Sequence, residues 1–261
     1  MHRQLKVIFS SCLLQMKQSF SRSMFKFCIL VYPVLAAITF YYIYSGNTDE
    51  TMISYVFLGT AVTSMWSSIS FSSAGDIDRE RFMGALEVIF SAPAEFRIIM
   101  LGKVIGNTVL GIFSMLVSFL VVTLLFGTPF RVADPLLFFI SMLLGILSFV
   151  FIALLLSGLL AISRNTRVLM NCIDFPVFIL CGTSFPIEIL PVWTRPLSYL
   201  LSPTYVLKLA RMSISGVTDY GVFWSWMLGL GIITVLYFIG YLWFYRVIDV
   251  KARREATLEV I

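Results

Sequence analysis

Charge is scarce in this sequence. Asp, Glu, Lys and Arg make up 13% of its 261 residues, against roughly 25% in a soluble domain. Hydrophobic residues make up 59%. So little polarity cannot cover a water-facing surface, and lipid is the solvent this chain suits. Histidine is nearly absent, with His2 alone at the N-terminal end. The apolar runs hold no HExxH, no GxSxG and no carboxylate cluster. Intramembrane hydrolysis needs such groups, so a catalytic role is not expected. The phosphate-binding pattern G-x-x-x-x-G-K-[ST] is missing too. Gly102-Lys103 lacks both the upstream glycine and the following hydroxyl, so the chain cannot cradle a nucleotide in that way. The four cysteines, Cys12, Cys28, Cys172 and Cys181, form no CxxC pair. They read as small apolar fillers, with no disulfide or metal implied. No extended basic run accompanies the net charge of +5, which argues against nucleic acid. A modest Lys/Arg excess is what cytoplasmic loops of a membrane protein produce.

What is present is length of apolar chain. A membrane-crossing helix takes about 20 mostly apolar residues. Six segments qualify: 27–44, 53–74, 104–126, 136–162, 168–185 and 222–245. The basic leader, residues 1–26, is long for the start of a cleavable signal. The first apolar run ends in SGNTDE without a small-x-small site, so that run is expected to be retained as a span. Lys/Arg asymmetry orients the spans. Fifteen fall in the leader, the 75–103 loop, the turn at Arg164 and Arg167, and the tail 246–261. Only Arg131, Arg195, Lys208 and Arg211 fall on the other side. Both termini are therefore expected in the cytoplasm.

Three segments outside the spans carry information. In the leader, Leu5, Ile8, Phe9, Cys12, Leu13, Met16 and Phe20 share one helical face, while Lys6, Ser10, Lys17 and Ser21 share another. A basic amphipathic helix of this kind belongs in the cytoplasmic interface. In the 75–103 loop, Asp76 or Asp78 can cap a helix running to about residue 90. Ser91-Ala92-Pro93 then breaks it, and a second short helix leads into the third span. Met83, Leu86, Ile89 and Phe90 give that element an apolar side suited to docking. The external segment 186–216 is interrupted by Pro186, Pro191, Pro196 and Pro203. Its apolar pieces are too short to cross. Broken backbone at membrane depth survives only where protein or water satisfies it, so a re-entrant hairpin packed over the fifth and sixth spans is expected. The tail carries no assigned chemistry.

Ionisable groups inside spans are functional candidates, and Asp174 is essentially the one here. It either reaches Arg167 or Arg164 as an interfacial carboxylate or lies in a substrate path. A lone acid supports a proton relay poorly. Phe40, Tyr41, Tyr42 and Tyr44 at the end of the first span suit an aromatic belt. The second span is rich in hydroxyls, including Thr60, Thr63, Ser64, Ser67 and Ser68. These serve helix packing or a polar cavity face.

The stretch RERFMGALEVIFSAPAEFRIIMLGK, residues 79–103, resembles the E-R-x-x-G-T-L-E-x-L-x-x-(S)-P…G-K segment of the ABC transporter type-2 permeases. Glu80, Gly84, Leu86, Glu87, Pro93, Gly102 and Lys103 stand in the family's order, with Ala85 in place of the usual threonine. The stretch FPIEILPVWTRPLSYLLSPTYVLKLAR, residues 185–211, is similar to that family's prolyl segment before the last span. The resemblance extends over essentially the whole chain. It implies an all-α integral membrane protein with six transmembrane helices. An N-terminal amphipathic interfacial helix, a cytoplasmic coupling helix and a re-entrant external hairpin complete the expected fold.

It further implies the membrane subunit of an ATP-driven exporter in the cell membrane. ATP and Mg would be bound by a separate ATPase subunit, two copies per complex, with no cofactor in this chain. A second permease copy, identical or related, would complete the pathway. Docking is expected over 84–96, with Glu80, Gly84, Leu86, Glu87, Phe90, Pro93 and Phe96 as its residues. The leader would be the connecting helix that also touches the ATPase. The pathway would be lined from the first, second and fifth spans, with Tyr41, Thr63, Ser67, Asp174 and Phe178 as candidates. The cargo would be amphipathic, lipid-linked, drug-like, or a peptide or polysaccharide. The alternative is a secondary transporter or channel without an ATPase. It would want intramembrane charge pairs or matching broken helices in two repeat halves, and neither is evident.

Overall fold

The computed structural model describes residues 2–44, 50–85, 88–89, 94–126, 132–162, 177–183 and 187–255. It is helical, with no β-strand among the described residues. The long helices are α1 (His2–Ser21), α2 (Ser23–Tyr44), α3 (Glu50–Phe82), α4 (Phe96–Phe126) and α5 (Pro135–Ile162). A 3-10 turn at Ile187–Ile189 precedes α6 (Arg195–Tyr199), α7 (Ser202–Ser215) and α8 (Tyr220–Glu255). Three stretches are long and apolar enough to cross a membrane alone: Phe96–Leu124, Pro135–Leu160 and Tyr220–Arg246. The pair Arg3–Ser21 and Phe25–Phe40, bent by 90°, passes the same test taken together and counts as a fourth only if it is one broken span. Within α3, Val56–Ile69 is an apolar stretch among the described residues. Most of the expected fifth span, 168–185, lies outside the described residues.

The 75–103 segment differs from expectation. Asp76 and Asp78 do not cap a new helix, because α3 runs unbroken from Glu50 to Phe82. Asp76 is instead drawn into a buried network of partners, which leaves it no reason to turn back on the backbone. The helix stops at Gly84, whose φ of 69° lies in the left-handed region that side-chain-bearing residues avoid. The expected break at Ser91-Ala92-Pro93 lies outside the described residues. On the far side, the expected short helix and third span are one helix, α4, of 31 residues.

Helix pairing follows from the contacts. α3 and α4 run antiparallel: Glu80 meets Lys103, Asp76 meets Asn107, and the ring of Phe57 lies 6.2 Å from that of Phe119. α5 and α8 run parallel, with Phe151 against Phe238 (5.0 Å between rings) and Ser157 3.0 Å from the Tyr245 hydroxyl. α7 is wedged between the other halves of that pair. Val206 lies against Gly145 and Tyr205 against Gly229. A Cβ on either glycine would meet those side chains at 2.6 Å. Gly145 is ten residues past Pro135 and Gly229 nine past Tyr220, so at ~1.5 Å per residue the wedge sits about 14–15 Å from those helix starts. α7 then returns: the Asp134 and Ala133 amides donate to Ser213 and Ile214, beside the start of α5.

The two ends of the bundle differ sharply. One end gathers Arg22, the α3 residues 76–82, the start of α4, Leu160 and Tyr245 through direct contacts. The other end gathers the starts of α5 and α8 with the end of α7. Outward faces of the long helices are apolar, as with Phe113, Leu116, Leu120 and Leu124 on α4 and Leu228, Ile232, Val235 and Ile239 on α8. Those rows suit acyl chains.

Candidate functional site

At the basic end, α1 lies across α4 with almost no gap. A Cβ at Gly102 would sit 2.6 Å from the Ile8 carbonyl, and one at Gly106 would sit 2.9 Å from the Cys12 carbonyl. Two glycines four apart clear a groove that admits another helix's backbone. The same contact turns one side of α1 inward, so that Gln15 and Ser19 are buried, while Leu5, Phe9, Leu13 and Phe20 stay exposed beside Lys6 and Lys17. The apolar stripe read from the sequence is therefore only half used by the protein. The remainder faces outward, as an interfacial helix requires.

The inward side of α1 meets a polar junction. Asp76 is 2% exposed. Its Oδ1 accepts from Arg22 Nη2 at 2.5 Å, and its Oδ2 accepts from Gln15 Nε2 and, at 3.2 Å, from Asn107 Nδ2. Gln15 Nε2 also lies 3.0 Å from Asn107 Oδ1. One carboxylate thus joins α1, the α1–α2 elbow, α3 and α4. One turn further along α3, Arg79 Nη2 donates to Gln18 Oε1 at 3.2 Å, and Glu80 pairs with Lys103. Burial, and then the Arg22 guanidinium, pull Arg79 below the usual arginine range. Arg81 Nη2 donates to the Leu160 carbonyl at 3.2 Å, filling an acceptor that the end of α5 leaves open. Buried charges are tolerated when paired and hydrogen-bonded, and Asp76 meets that condition with three donors.

The expected docking residues separate into three groups. Gly84 is exposed, with open space around it. Glu80 and Phe96 face inward: Glu80 is 6% exposed and paired with Lys103, and Phe96 stacks on Tyr245 at 5.6 Å. Leu86, Glu87, Phe90 and Pro93 lie outside the described residues. Met83 and Val88 are exposed. The inward turn of Glu80 follows from α3 continuing past residue 75, which presents that position to α4.

Among the pathway candidates, Thr63 is buried and Ser67 half-buried on α3. Phe178 is exposed, its ring 6.4 Å from that of Phe40. Tyr41's side chain and Asp174 lie outside the described residues. Among the described residues no group of His, Cys, Asp and Glu could hold a metal ion. Gln15, Arg22 and Asn107 were not singled out from the sequence. Gln15, Ser19 and Arg22 do stand at i, i+4 and i+7, a polar stripe along the edge of the apolar one.

The family model described as ABC-2 type transporter matches residues 3–215. Two curated relatives, each a "Probable multidrug ABC transporter permease YbhS", come from Escherichia coli K12 and O157:H7. Each is 31% identical over 136 residues, covering 51% of this chain. The aligned stretch spans 35% of each relative.

Proposed function

The chain belongs to the ABC-2 type transporter family, and from that premise we propose that it forms the substrate pathway of an exporter driven by a separate ATPase. It is a multi-pass membrane permease subunit of that family. In this reading it crosses the cell membrane six times, with both termini in the cytoplasm. The basic end of the bundle faces the ATPase, and α1 lies in the inner interface. The exposed turn at Met83 and Gly84 begins the docking element, which continues to Phe96. Glu80 and Phe96 support that element from inside. ATP and Mg sit in two ATPase copies, and a second permease copy closes the pathway. The YbhS relatives carry the word multidrug, and an amphipathic, drug-like cargo is the class proposed here.

The observation that carries this reading is the meeting of α1, α3, α4, α5 and α8 at one basic end, from which the Met83–Gly84 turn projects. A helical bundle that gathers these ends beneath one exposed turn can pass a push on that turn to each of those helices. The test is affinity capture of the tagged chain from membranes. An ATPase bearing the phosphate-binding loop is expected in the eluate, and Gly84→Pro with charge reversal at Glu87 is expected to lose it while the chain still inserts. Capture that is indifferent to those changes overturns the docking assignment.

A further inference from the structure

We propose that Asp76 is a positioning residue that locks α1, α3 and α4 into one rigid unit, so that a push delivered to the end of α3 also moves the interfacial helix. The proposal rests on the ATPase-coupled reading above and names the residue that passes the motion on. Three observations carry it. First, Asp76 sits on the last turns of α3, two turns before the exposed Met83–Gly84 turn. Secondly, all its partners are off α3: Gln15 and Arg22 belong to α1 and its elbow, and Asn107 to α4. Thirdly, the α1–α4 seam has no slack, since the Gly102 and Gly106 positions lie almost on the α1 backbone. Packing alone keeps α1 from approaching α4 more closely. It does not stop α1 sliding along the glycine groove. A directional, charge-assisted junction does. Lys103 and Glu80 tie α3 to α4, and Arg79 ties α3 to Gln18 on α1, whereas Asp76 is the α3 side chain that bonds to both α1 and α4.

Asp76→Asn keeps the shape and one acceptor but removes the charge that Arg22 faces. Arg22→Gln removes the other partner and is the second variant should Asp76→Asn fold poorly. Spin labels go at Lys17→Cys on α1 and Gly75→Cys on α3, both exposed, in a background with the native cysteines replaced. The full complex is measured in nanodiscs, with and without ATP and vanadate. In the parent protein a narrow distance distribution is expected, unmoved by vanadate trapping because both labels ride on one unit. In Asp76→Asn and in Arg22→Gln the distribution broadens and its centre shifts on trapping. The double variant behaves like either single variant, as expected for one shared interaction, and Asp76→Glu recovers the narrow, unmoved distribution. Co-purification of the ATPase is retained throughout.

A narrow, unmoved distribution in both single variants overturns the proposal, and so does summed broadening in the double. If the parent protein captures no ATPase, yet the variants broaden without nucleotide, the exporter reading fails while the rigid unit stands.

Discussion

At the residue scale, Glu80 and Lys103 carry the clearest consequence. Both side chains are 7% exposed and pair with each other. Truncating one partner of a buried pair leaves an uncompensated charge, at a cost of about 3–5 kcal/mol, whereas replacing both with apolar groups of similar volume is often neutral. Glu80→Ala is therefore expected to lower stability by about that amount, and Glu80→Leu with Lys103→Met to restore most of it, measured by reversible unfolding in mixed micelles. Equal losses in the single and double variants would refute the pairing. Glu80 also marks a limit on what the sequence made legible. Its motif position implied a docking residue, but a motif fixes order along the chain and not which face a helix turns inward. Asp76 was legible as an acid near a helix boundary and not as a junction, because its partners lie 31 to 61 positions away.

At the element scale, periodicity gave the leader helix and its amphipathic character, and composition gave the long apolar stretches. The prolines of 186–216 predict broken backbone, and among the described residues that segment is a 3-10 turn and two separate helices, with α7 packed between α5 and α8. What local pattern could not supply was the packing partner. The glycines show this best. Gly102 and Gly75 look alike in sequence, yet a Cβ at Gly102 would strike the Ile8 carbonyl at 2.6 Å and one at Gly75 would meet nothing within 4 Å. Gly102→Val is expected to push α1 off α4 and cost at least the ~1–3 kcal/mol typical of overpacking, seen as faster proteolysis of the leader in detergent. Gly75→Ala is expected to leave the leader protected and to gain about 0.5–1 kcal/mol from better helix propensity. Protection of the leader in Gly102→Val would show that α1 does not depend on that seam.

At the scale of the whole molecule, Lys/Arg bias along the chain and the gathering of helix ends in space are independent signals, and they agree. Two of the four basic clusters read from the sequence, the leader and the 75–103 loop, supply Arg22, Arg79, Arg81 and Lys103, and these meet at one end of the bundle. Asp134 and Asp219 belong to the other end, where Asp134 accepts from the Val217 amide and Asp219 from the Gly221 amide at the start of α8. Helix direction alone does not say which end faces the cytoplasm. Charge does, because basic loops are retained on that side. Lys17→Cys and Asp219→Cys are therefore expected to label from opposite sides. A membrane-impermeant maleimide applied to intact cells should reach the cysteine at 219 and leave the one at 17 unreacted until the membrane is permeabilised. Reaction at 17 in intact cells would invert the orientation. It would also put the Met83–Gly84 turn on the wrong side for any cytoplasmic ATPase, because Arg79 ties the end of α3 to Gln18, next to Lys17 on α1.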